Sequence, residues 1–161
     1  MFKSEYIEWV VTCMEKVKYV IKNNLGMDPM HDSYATEIKI EKNCLIVVYD
    51  NLNEGVLDPD GNPYYKNKRL IIRYEFDSYC DAKVYYKDNK FLWIDMVENM
   101  NTFNKVTKGC LFMSYIYSVS SFNELILEYS VKKIINGKYV KYKYHGLEIK
   151  LDSTNVTYMW E

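Results

Sequence analysis

The stretch Asp58-Pro59-Asp60-Gly61-Asn62 places three carboxylate or amide side chains at alternate positions of a turn, and calcium is the ion it would suit. An EF-hand loop needs D-x-[DN]-x-[DN]-G and a bidentate glutamate further on. Here Gly61 precedes Asn62 and position 67 is Asn67, so the pattern fails and the string reads as a surface turn. A cysteine–histidine dyad is the second chemistry available, because an imidazolium beside a thiol favours the thiolate nucleophile. His31 and His145 are the two histidines, and Cys13, Cys44, Cys80 and Cys110 lie far apart without a C-x-x-C pair. Nothing in the spacing brings a particular cysteine to His145, and His145-Gly146 reads as a turn. The same scarcity gives no zinc-ligand spacing. Acid–base work would need a carboxyl with a raised pKa. The available pairs, Glu75 with Asp77, Asp77 with Asp81 and Asp95 with Glu98, fall at turns and strand ends where solvated charge is usual. The sequence therefore assigns no catalytic residue, no metal ligand and no cofactor.

One surface carries a recognition signal. Lys132, Tyr139, Lys141 and Lys143 are expected on the outer face of a hairpin with Ile134 beside them. Tyrosine supplies contact area at low entropic cost, and lysines set the charge of what it meets. These five residues are the expected partner-binding set. Lysines interleaved with aromatics also suit a phosphate backbone, but a net charge of −1 supplies no general basic field, so nucleic acid is not favoured.

The hairpin that would hold them is the firmest element. Leu125, Leu127, Tyr129 and Val131 alternate with Ile126, Glu128, Ser130 and Lys132, the period of a strand buried on one face. Asn136-Gly137 then supplies two residues tolerant of positive φ, as a type I′ turn requires. That turn sets Ile135 opposite Lys138 and, continued, pairs Val131 with Tyr142 and Tyr129 with Tyr144.

Upstream, residues 3–25 predict an amphipathic helix. Tyr6, Val10, Cys13, Val17, Val20 and Ile21 recur at helical spacing, with Ser4 as cap and Gly26 as stop. Strands follow at 34–41 and 44–49, joined at Lys42-Asn43, and the second is apolar throughout. A polar loop spans 51–68. Further strands are expected at 69–76, 82–86 and 90–94, with a turn near Asp77-Ser78 and another at Asp88-Asn89. Residues 95–108 lean to a short helix between Asp95 and Gly109, and strands resume at 110–119, 148–151 and 156–160.

Seventeen tyrosines in 161 residues favour extensive sheet, with rings packed and hydroxyls left wet. The length suits one domain over residues 1–161. The fold class is α+β: an N-terminal amphipathic helix packed on a large curved antiparallel β-meander, a partial barrel, with one short extra helix. No stretch approaches the ~20 apolar residues that span a bilayer, and Glu5 and Glu8 interrupt any leader-like run. The chain reads as cytoplasmic and, from its lysine, asparagine and tyrosine, as bacterial. The expected function is non-catalytic protein binding, most concretely by a toxin-neutralising immunity-type protein. The alternative is carriage of a small apolar ligand inside the curved sheet, and an enzyme ranks third.

Overall fold

β-Branched and aromatic residues alternate with polar ones along most of the chain, and the backbone is correspondingly antiparallel sheet. The computed structural model describes residues 19–22, 33–50, 69–119, 124–140 and 142–160, without the side chains of 19–22, 115 and 160. The strands are β1 (Tyr19–Lys22), β2 (Tyr34–Ala35), β3 (Glu37–Glu41), β4 (Cys44–Tyr49), β5 (Leu70–Tyr86) and β6 (Lys90–Asp95), followed by helix α1 (Met100–Thr107). Then come β7 (Cys110–Val119), β8 (Glu124–Ile135), β9 (Lys138–Val140) and β10 (Tyr144–Trp160).

The sheet runs β2-β7-β8-β10-β5-β4-β3, and β2 and β3 are parts of one stretch interrupted at Thr36. The two ends of the order therefore meet, and the sheet curls into a nearly closed barrel. Thr36 bridges the interruption: its N–H donates to the Val48 carbonyl at 2.7 Å and its hydroxyl to Asp50 Oδ2 at 2.6 Å. From α1, Asn104 Nδ2 donates to the Ile40 carbonyl at 3.1 Å while its Oδ1 accepts the Ile40 N–H at 2.9 Å. That amide occupies the strand edge β3 would otherwise leave bare.

Inside lies one connected core. Ile38, Ile40, Leu45, Val47, Leu70, Ile72, Leu125, Leu127, Ile149 and Leu151 come from facing strands, and Phe103 of α1 packs into them. Tyr49, Tyr74, Tyr129 and Tyr158 are buried with them, at most 3% exposed. The expectation of wet hydroxyls fails for these four, because a barrel interior leaves inward side chains no water to reach. On the opposite face of β4 a second cluster, Cys44, Ile46 and Val48 with Ile71, is also buried, as an all-apolar strand implies.

Several boundaries differ from expectation. Of the predicted helix 3–25, residues 19–22 are strand β1, paired with β10 from Tyr19↔Trp160 to Lys22↔Thr157; the remainder lies outside the described residues. YVIK is rich in strand-formers, and the free edge of β10 offers it a partner. Loop 51–68 also lies outside them. The predicted turn at Asp77-Ser78 is a bend within the 17-residue β5, and the two short strands expected at 148–151 and 156–160 are one 17-residue β10. Nor is the sheet a simple meander, since β10 is inserted between β5 and β8. Alternation shows which face is buried but not which strand is the neighbour.

Where β5 bends, its ladder with β10 slips. Phe76 pairs with Ser153 and Cys80 with Leu151, so β5 spends three intervening residues where β10 spends one. The Asp152 carboxylate fills that gap. It accepts the Ser78 N–H at 2.8 Å, the Ser78 hydroxyl, and the Tyr79 N–H at 3.0 Å. Bulges of this kind curve a sheet and allow it to close. A short helix is present within the expected span but begins at Met100 with Asn99 as its cap. Asp95 Oδ1 instead accepts the N–H groups of Val97 and Glu98 in the turn before it, and Gly109, at φ +69°, follows its end.

Candidate functional site

The Asn136-Gly137 turn forms as expected, with φ of +51° and +72°, and Ile135 faces Lys138. The register holds to Lys133↔Val140 and then breaks. The next rung is Ser130↔Gly146, so β8 advances three residues (133 − 130) while the other side uses six (146 − 140). Tyr129 consequently faces Leu147, and the expected Val131–Tyr142 and Tyr129–Tyr144 rungs do not form. β8 stays paired with β7 as far as Cys110↔Lys133 while its pairing with β10 stops at Ser130, so the β8–β9 hairpin forms one arm at this end of the sheet. A second arm is the β5–β6 hairpin, turned at Asp88 and Asn89, both at positive φ.

Between the arms lies a cleft of about 920 Å³. Its apolar walls are Tyr86 and Leu92 from the β5–β6 arm, Val131 and Val140 from the β8–β9 arm, and Tyr142 and Tyr144. Gly146 backs this end of the sheet, where the Tyr85 ring lies across it: a Cβ there would sit 3.6 Å from Tyr85 Cδ2. The Tyr144 ring meets Tyr142 edge-on at 5.4 Å and Tyr86 at 6.3 Å between centroids. Tyr142 donates its hydroxyl to the Val106 carbonyl at 2.9 Å, and burial pushes its pKa up to about 12, with Cys110 adding to the rise. Val131, Tyr142 and Tyr144 also line a void of about 10 Å³ beneath, against Val84, Phe112 and Leu147. They stand between the cleft and the core.

The charged side chains that line the cleft are all lysines: Lys87, Lys132 and Lys143. The Lys143 ammonium lies 4.7 Å from the centre of the Tyr144 ring. His145, also a lining residue, is exposed, and its Nε2 donates to the Tyr86 carbonyl at 3.2 Å. The three described cysteines, Cys44, Cys80 and Cys110, are buried, and burial raises the pKa of each thiol. Among the described residues no hydrogen bond joins His145 to any of them. Carboxylates face one another at Asp81 and Asp95 across β5 and β6, and at Glu128 and Glu148 and at Glu124 and Asp152 across β8 and β10; burial, then the Asp95 charge, raises the Asp81 pKa. Among the described residues no three histidine, cysteine or carboxylate groups gather as a metal site.

Of the expected partner-binding residues, Lys132, Ile134 and Tyr139 share the outer face of the β8–β9 arm. The Lys132 ammonium stands 5.3 Å from the Tyr139 ring centre, and Tyr139 is 66% exposed. Lys143 is displaced by the register break to the cleft, and Lys141 lies outside the described residues. Sequence reasoning missed Tyr86, Leu92 and Val140, and placed Val131, Tyr142 and Tyr144 in ladder rungs. One signal pointed to them: Phe91-Leu92-Trp93-Ile94 puts four apolar residues in a row directly after a polar turn, more than one buried face needs.

No helix among the described residues is long and apolar enough to cross a membrane. The chain matches no family model, no curated protein and no solved structure.

Proposed function

We propose that this chain is a non-catalytic protein-binding domain whose partner docks on the outer faces of the two hairpin arms. One observation carries the reading. Ten large apolar side chains are exposed among the described residues and seven belong to these arms; four of them, Phe91, Trp93, Ile134 and Tyr139, stand on the outer faces, while Leu92, Ile135 and Val140 have the opposite parity. Apolar surface concentrated in this way at one end of a domain marks an interaction site, whereas scattered residues would not.

The magnitude is sufficient. Phe91, Trp93 and Tyr139 are 49%, 54% and 66% exposed. Each such ring has roughly 100 Å² still to bury, worth about 2.5 kcal/mol at 25 cal/mol per Å². Three together supply about 7 kcal/mol before the costs of association, enough to anchor an interface of ordinary size. Lys132, 5.3 Å from the Tyr139 ring, gives the β8–β9 arm a cationic fringe suited to an acidic partner surface, whereas Lys83, 5.4 Å from the Phe91 ring, is paired with Glu148 at 3.2 Å. Neutralisation of a toxin by masking its surface is the most specific form of this function.

The test is native mass spectrometry of tagged protein drawn gently from its own cells, beside a Tyr139→Ser/Trp93→Ser variant. The reading expects a stoichiometric protein companion on the wild type, lost from a variant of unchanged melting temperature. The product of the adjacent gene is the first companion to look for. A companion that stays on the variant, or none on the wild type, refutes it.

A further inference from the structure

The cleft and the arms' outer faces belong to opposite sides of the same strands, and Lys132, which projects from the outer face, reaches the cleft's rim. Ala82, Val84 and Tyr86 of β5 point inward, and the register places Leu92 and Ile94 of β6 on that side. Val131 points inward on β8, Lys133 shares its face, and Val140 is the partner of Lys133. The cleft is thus the interior face of the sheet continued past Gly146↔Ser130, the last rung between β10 and β8. Phe91, Trp93, Ile134 and Tyr139 have the other parity and point away from it.

We infer that this cleft binds a small anionic amphiphile, an aliphatic chain ending in a carboxylate, with the chain against Leu92, Val131, Val140 and Tyr144 and the carboxylate at Lys143 and Lys87. Three observations select that class. A volume of about 920 Å³ falls in the range of small-molecule sites. The walls are aliphatic and aromatic, so the body of the ligand is apolar. The charge that the lining residues supply is cationic without a carboxylate among them, which suits an anion and disfavours a cation. Among the described residues no acidic side chain pairs with Lys87 or Lys143, so neither ammonium need give up a partner to take the ligand's. Val131, Tyr142 and Tyr144 lie between cleft and core, which puts the ligand at the mouth and not in the interior. The inference does not depend on the protein-binding function, which uses the other face of the arms.

The probe is submicellar dodecanoate, titrated calorimetrically into the full chain against dodecanol and dodecyltrimethylammonium. One molecule of dodecanoate binds per chain, at least about tenfold tighter than either comparator. Lys143→Glu with Lys87→Glu weakens it about tenfold or more, and Val140→Asp does the same by placing a charge on the wall. Tyr139→Ser and Trp93→Ser, on the outer faces, leave it within about twofold. Circular dichroism and melting temperature establish that each variant is folded, and two independent wall and rim changes guard against loss of one. Absence of saturable binding, equal affinity for the ammonium amphiphile, or wild-type affinity in Val140→Asp overturns the inference. So does saturation by an acetylated Glu-Leu-Trp-Leu-Glu peptide without binding of dodecanoate, which would assign the cleft to a protein segment.

Discussion

Replacing Asp152 by alanine removes the group that fills the slipped ladder between β5 and β10. The carboxylate accepts three hydrogen bonds, from Ser78 N–H, the Ser78 hydroxyl and Tyr79 N–H. Bonds to a charged acceptor are worth about 1.5–3 kcal/mol each when shielded, but water can replace those at exposed Ser78. Counting the part-buried Tyr79 bond near 1.5–2 kcal/mol and the Ser78 pair together near 1, the expected loss is about 2–3 kcal/mol. In a chain of this length that lowers the melting temperature by about 4–10 °C. The pH dependence is the sharper test. Burial alone would raise the Asp152 pKa, but the hydrogen bonds from Ser78 and Tyr79 outweigh it and the net direction is down. A carboxyl depressed in the folded state stabilises above its unfolded pKa of about 3.9 and loses that stabilisation as pH falls through the folded value. Urea titrations of wild type and Asp152→Ala should therefore differ by the full amount at about pH 7 and converge below about pH 4. Asp152→Asn, which keeps the shape without the charge, should show a smaller deficit. A deficit under about 0.5 kcal/mol at neutral pH, or one unchanged in acid, would refute this account of the bend.

Two further outcomes follow from polar groups inside the fold. Asn104→Ala strips both hydrogen bonds from Ile40 and leaves its N–H and carbonyl unpaired at a part-buried edge, so urea unfolding should register a loss of about 2–3 kcal/mol. The deep tyrosines predict alkaline instability. Burial raises the pKa of Tyr74, Tyr79 and Tyr142, the last to about 12. For a group whose folded pKa is raised, the stabilisation is complete below the unfolded value of about 10 and is lost as pH rises through the folded one. Phenolate absorbance should therefore show a set of tyrosines that ionises only with loss of circular dichroism; reversible titration of all seventeen in the folded chain would contradict it.

Much of the sheet was legible because its signals are local. The Asn136-Gly137 turn, the Lys42-Asn43 hairpin, the all-apolar β4 and the stop at Gly109 each depend on residues adjacent in sequence. What escaped depends on partners far along the chain. Residues 77–79 resemble a turn in composition and become a bulge because Asp152, more than seventy positions away, satisfies their amides. YVIK at 19–22 continues a helical stripe yet extends along β10, whose edge no local pattern announces. The outer-face trio Lys132, Ile134 and Tyr139 came from simple alternation and stands together on the arm. Lys143 did not, because alternation assumes an unbroken register and three surplus residues intervene before Gly146.

That break also shapes the end of the sheet where both proposed sites lie. Had the hairpin register continued, Tyr142 and Tyr144 would have faced Val131 and Tyr129 on the ladder, and β8 would have stayed zipped to its neighbour. Instead β10 takes up β8 only from Gly146, and the β8–β9 arm separates from the β5–β6 arm. The inward-facing pattern persists through Leu92, paired with Val84, and Val140, paired with Lys133, yet they remain 39% and 38% exposed. A pattern that serves only to fill a barrel has no reason to outrun the barrel, since each exposed aliphatic residue forgoes its burial energy. The lysines stand at the same place, and both Lys132 and Lys143 lie over tyrosine rings. Apolar surface and positive charge are thus gathered where the register fails, which is the arrangement the proposed ligand and partner would each use.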